Sequence, residues 1–176
     1  MRTRTSTWFE CKIRYDKMME DGMQKKITEL YVVDALSFTE AESSIIDEMS
    51  AYISGEFEVR DIKKAPYGEI FFSEDASADR FFKAKLQFIT IDEKTEKEKR
   101  SNVNYLVHAN TFNQAVANID KVMGTTAIDY VIASVAETQI MDFFEHNSAA
   151  KLKKEEPNDV PEYEQQPAAE GEAAAE

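Results

Sequence analysis

The chain has 176 residues, 43% of them hydrophobic, with 34 acidic against 21 basic side chains and a formal net charge of −13. That is one ordinary domain or two very small ones, with enough apolar residues for a real core. The acidity argues against a broad duplex-DNA or anionic-membrane surface, and the single cysteine, Cys11, excludes a disulfide-stapled secreted scaffold and leaves the cytosol as the default compartment.

The elements follow in chain order. The opening RTRT is followed by no apolar run, so no secretory leader is read there. Residues 7–15 then alternate, with Phe9, Cys11, Ile13 and Tyr15 on one face, the period of a half-buried strand. Asp16–Lys26 reads as a charged loop. A second strand carries Tyr31, Val33 and Ala35 on one face. Ser37 and Glu40 fit a capping box, in which the serine hydroxyl accepts from the backbone N–H three residues on. The helix they open places Phe38, Ala41, Ile45, Met49 and Tyr52 on one buried stripe and ends near Ser54 and Gly55. A third strand, Phe57–Ile62, and a short apolar coda, Ile70–Phe72, close this half.

Beyond Ser73–Asp79 the same order recurs. Phe82, Ala84, Leu86 and Phe88 share a strand face, Glu93–Asn102 is a second charged loop, and Tyr105, Val107 and Ala109 repeat the second strand. Thr111 and Gln114 form another capping box, and Phe112, Ala115, Ile119 and Met123 another stripe, ending at Gly124. A strand over Ile128–Ala136 and a coda over Ile140–Phe144 complete it. Aligning Tyr31–Met49 with Tyr105–Met123 gives identities at Tyr31, Val33, Ala35, Phe38, Ala41, Ile45 and Met49. Repeats decide a fold before any local feature does. The expected architecture is therefore α+β, with two tandem β-β-α-β repeats (about 7–72 and 80–146) forming one pseudo-symmetric domain over 7–146. Residues 147–176 read as a disordered acidic tail, because Lys151–Glu176 carries eight acidic residues against three basic ones and three of the four prolines.

Chemistry-bearing patterns are scarce. His108 and His146 show no metal-ligand spacing with Cys11, and no glycine-rich phosphate loop is present, so no cofactor, metal or catalytic residue is assigned. His108 reads as a solvent-facing strand residue, and Cys11 as a small core residue. The first strand of each repeat is more suggestive. Opposite the core face lie Trp8, Glu10, Lys12 and Arg14, and then Phe81, Lys83, Lys85 and Gln87. An aromatic at one end and cations along the rest suit single-stranded nucleic acid, where bases stack on rings and Lys or Arg follows the phosphates. Trp8, Lys12, Arg14, Phe81, Lys83 and Lys85 are the candidate contacts, with Lys63, Lys64 and Tyr67 extending the groove. The competing reading comes from Leu30, Val32, Leu36 and Leu106, which make the second strands apolar on both faces. Such strands are covered on both, either by packing sheet on sheet or by a partner.

The segments WFECKIRY (8–15), VDALSFTEAE (33–42) and ISGEF (53–57) resemble a family of uncharacterised domains from Bacteroides-group bacteria and their phages, and the likeness extends from Trp8 to Phe144. That resemblance brings no established activity. Its phage setting implies accessory work in DNA replication or recombination. The reading is a non-enzymatic single-stranded DNA-binding accessory factor of phage or mobile-element replication. The alternative is a protein–protein adaptor, with the acidic tail as a contact for partners, or a homo-oligomeric structural module.

Overall fold

The structure is a computed structural model that describes residues 1–94 and 96–145; the acidic segment 147–176 lies outside the described residues. Two long strands, β2 (Trp8–Met18) and β3 (Gln24–Asp34), form an antiparallel hairpin running from Trp8↔Asp34 to Met18↔Gln24. Its turn closes at Gly22, whose φ of 79° is the left-handed conformation that glycine adopts without a Cβ clash. Much of the charged segment read as a loop is thus strand. The same correction holds in the second hairpin, β6 (Arg80–Ile91) with β7 (Glu98–Ala109).

Each hairpin leads into a capped helix. In α1 (Phe38–Tyr52) the Glu40 N–H donates to Ser37 Oγ at 3.2 Å, and in α2 (Phe112–Met123) the Gln114 N–H donates to Thr111 Oγ1 at 3.2 Å. The side chains reach back one residue further than the capping-box pattern predicts. Glu40 Oε2 accepts from the Leu36 N–H and Gln114 Oε1 from the Asn110 N–H, both at 2.7 Å. The buried stripes are shorter than expected. Ala41, Ile45 and Met49, and Ala115, Ile119 and Met123, are buried, whereas Phe38, Tyr52 and Phe112 at the helix ends are exposed.

Nine strands and two helices are present among the described residues, an α+β arrangement. After α1 come β4 (Phe57–Lys64) and β5 (Glu69–Phe72); after α2 come β8 (Tyr130–Glu137) and β9 (Ile140–Phe144). The opening RTRT, to which the sequence pattern assigns no element, forms β1 (Arg2–Thr5) and pairs with β5. One sheet has the order β4-β2-β3-β9 and the other β1-β5-β7-β6-β8. The short strands cross over: β9 lies parallel to β3 (Val32↔Phe143), and β5 lies parallel to β7 (Ile70↔Leu106). The β2–β4 pairing slips by one residue between Lys12 and Ile13, and the β6–β8 pairing slips between Lys85 and Leu86.

Alternation along the strands divides the apolar residues into three clusters. Phe9, Cys11, Ile13 and Val33 pack under α1, and Phe82, Ala84, Leu86 and Val107 pack with Ala115, Ile119 and Met123 of α2. The opposite faces of the same strands supply the third cluster, in which Trp8 and Val32 meet Ile70, Phe72, Phe81, Leu106 and Ile140. The two sheets therefore pack on each other with a helix on each outer face, and Val32 and Leu106 are covered by the sheet-on-sheet contact. Leu36 is not covered; it is 88% exposed.

Candidate nucleic-acid interface

The six candidate residues fall into three environments. Trp8 and Phe81 are buried, at 1% and 2% exposure, because strand alternation turns them into the cluster between the sheets rather than out to solvent. Phe81 stacks on His108 at 4.8 Å between ring centroids and meets Phe143 edge-on at 6.0 Å. Neither ring is accessible to a base, which corrects the stacking role assigned to them. Tyr67, expected to extend the groove, lies in the same cluster at 3% exposure. His108 is likewise not the solvent-facing residue expected. Burial lowers its pKa, against opposing effects of a backbone hydrogen bond with Ala78 and of Asp142 and Asp79.

Lys12 and Arg14 lie on the β4-β2-β3-β9 sheet among carboxylates. Lys12 Nζ is 4.0 Å from Asp61, which Lys63 approaches to 2.8 Å, and Lys63 holds the Asp61 carboxyl below its usual pKa. Arg14 is paired in register with Glu58 and borders an open cleft of about 230 Å³ with Asp16, Lys26 and Glu56. Cations and anions alternate here, so this face has little net field to offer a phosphate chain.

Lys83 and Lys85 stand differently. Lys83 is opposite Leu106 on one side and Ala136 on the other; Lys85 is opposite Asn104 and Ser134. Gln87, next along the same face, donates to Asn102 Oδ1 at 3.1 Å, and Asn104 donates to the Pro66 carbonyl at 3.3 Å. Among the described residues no carboxylate lies within ion-pair distance of either lysine. The result is a local positive field over a surface of amides and a hydroxyl, on an acidic protein. The sequence reading named Gln87 but missed Asn102, Asn104 and Ser134. Neutral polar residues carry no charge signal, and only strand pairing places them beside the lysines.

Two other polar groups are structural. Asp34, at 5% exposure, is ion-paired to Arg4 and hydrogen-bonded by the Ser6 hydroxyl, and Arg4 also reaches Glu145 at 3.3 Å. This ties β1 to the ends of β3 and β9. The Cys11 thiol is fully buried and pushed up to about 12, chiefly by burial and then by Asp61 and Glu10, so it is not a thiolate at neutral pH. No group of three or more His, Cys, Asp or Glu among the described residues is placed to hold a metal ion, and no described helix is long and apolar enough to cross a membrane.

Neither the curated proteins nor the solved structures contain a match to this chain. A family model does match, over residues 7–146, and it spans both hairpins, both helices and the exchanged strands. The chain therefore belongs to the family described as a domain of unknown function, DUF4494.

Proposed function

We propose that this protein is a non-enzymatic, duplicated binding domain that holds single-stranded DNA along the Lys83–Lys85 stretch of β6, beyond the buried Phe81 end of the same strand face, as a cytoplasmic accessory factor of phage or mobile-element replication or recombination. The observation that carries the reading is the pair Lys83 and Lys85 facing Asn104, Ser134 and Ala136 with no carboxylate in register. With Trp8 and Phe81 inside the protein, binding rests on phosphate contacts and on amide contacts to base edges. Affinity is accordingly modest and salt-dependent. The Bacteroides-group and phage setting of the VDALSFTEAE resemblance supports the replication context. The duplication is supported by the repeated β-β-α-β-β order, by the reciprocal placement of β5 and β9, and by strand slips at the corresponding positions Lys12/Ile13 and Lys85/Leu86.

Anisotropy of a labelled oligothymidylate at two salt concentrations tests this. Lys83→Glu with Lys85→Glu is expected to abolish binding, and neutral replacements should flatten the log–log salt dependence by about 1.4, the share of two single-strand phosphate contacts. Lys12→Gln should change little. Absence of binding at micromolar protein and low salt removes the reading.

The second reading, a protein-interaction adaptor, is favoured by the apolar entrance to α1. Leu36 is 88% and Phe38 57% exposed, two positions apart in the chain. Leu36→Ser in a partner-capture assay, with oligonucleotide binding unchanged, separates the two readings.

A further inference from the structure

The two sheets end in edges of very different chemistry. β4 is blunted by five charges, Glu58, Arg60, Asp61, Lys63 and Lys64, within eight residues. Charged side chains are the usual means of keeping an edge strand from pairing with another chain. β8, the edge next to the Lys83–Lys85 face, reads YVIASVAE and carries no charge between Tyr130 and Ala136. Both edge strands share the one-residue slip, so the slip does not explain the difference. Among the described residues β8 has a strand on one side only; Val131 within it is 43% exposed, and Ile128, two residues before it, is 51% exposed. Ile132 and Val135 are partly buried at the margin of the α2 cluster.

We infer that the occupant of this edge is the β8 strand of a second copy, paired antiparallel about a two-fold axis between Ala133 and Ser134. That register sets Val131 opposite Ala136 and Ile132 opposite Val135 of the partner copy, and it brings no like charges together. For a chain of net charge −13, this uncharged edge flanked by lysines is a stretch where two copies can meet without that repulsion. Ile132 and Val135 extend the apolar layer under α2 across the junction. The local axis is perpendicular to the sheet, so both copies present their Lys83–Lys85 faces on the same side. The two β6 strands then lie three strand spacings apart, about 14 Å. Four lysines share one surface in place of two. This assembly needs no nucleic acid and stands or falls separately from the single-strand reading.

Light scattering on the full chain without DNA reads the oligomeric state. The wild type is expected to run at twice the monomer mass. Val131→Lys with Ala136→Lys sets lysines opposite each other in this register and should give a monomer, as should Val131→Glu with Ala136→Glu. An equimolar mixture of the two variants should return to twice the monomer mass, because each lysine then faces a glutamate. A monomeric wild type, or variants that stay dimeric, or a mixture that stays monomeric, overturns the proposal. Should either variant fail to fold by circular dichroism, amide exchange on the wild type decides. Protection of the β8 amides must rise with protein concentration, and concentration-independent exchange overturns it. Loss of oligonucleotide binding with the dimer intact would count against the single-strand reading alone.

Discussion

Trp8 shows at the scale of one residue how alternation and burial compete. Its strand position is opposite the core face under α1, and a single sheet with one solvated face would leave it exposed. A second sheet covers it instead. As the only tryptophan, it reports its own surroundings. Its emission is expected to be blue-shifted, to resist acrylamide, and to stay unchanged when oligonucleotide is added; strong quenching by DNA would show that the ring is reachable. Trp8→Ala should cost about 3–5 kcal/mol in denaturant unfolding, the range for deleting a large buried ring. His108 makes a second, signed prediction. Its pKa is lowered from 6.5 in the folded protein, so near and just below that value the unfolded chain binds more protons than the native one. Stability therefore falls as pH drops through the ordinary histidine range. His108→Phe keeps a ring against Phe81 and removes the proton site. The thermal midpoint of this variant should fall less between neutral and mildly acidic pH than that of the wild type, and parallel curves would refute the assignment.

Local signals were legible wherever one element decides its own shape. The N-terminal caps of α1 and α2 and the core faces of β2 and β6 follow from sequence, because each depends on neighbours within a few residues, whereas α1 is capped by Ile53 and not by Gly55. Thr111→Ala should accordingly cost about 1 kcal/mol, checked by urea unfolding, since the Gln114 N–H loses its acceptor while the stripe is untouched. Less was legible where two elements negotiate. The tips of both hairpins look like loops because their side chains are charged, yet an antiparallel pair needs only backbone partners, and these run out to Met18↔Gln24 and Ile91↔Glu98. The same blindness affected the candidate site. Lysine spacing puts Lys83 and Lys85 on one strand face, but whether a carboxylate sits across from a lysine is a property of register. Asp61 and Glu58 are far from Lys12 and Arg14 in sequence and beside them in the sheet.

At the scale of the molecule, the placement of β5 and β9 decides how the chain comes apart. β9 follows α2 in sequence yet completes the sheet of β2 and β3, and β5 follows α1 yet lies between β1 and β7. Phe143 of β9 also packs on Phe72 at 4.5 Å and on Phe81, so one short strand touches both sheets. Neither half can close its own sheet. Unfolding should therefore be a single cooperative event, in which the calorimetric and van't Hoff enthalpies agree. A chain ended after Glu137 lacks β9, which uncovers the edge of β3 and takes Ile140 out of the layer between the sheets. Compared with a chain ended after Glu145, it is expected to lose the cooperative transition of both sheets together, read by near-ultraviolet dichroism and amide exchange. If exchange instead showed β6, β7 and β8 still protected with the stability of the longer chain, each half would be its own folding unit. The exchanged strands would then be ornaments on two finished sheets rather than the link between them.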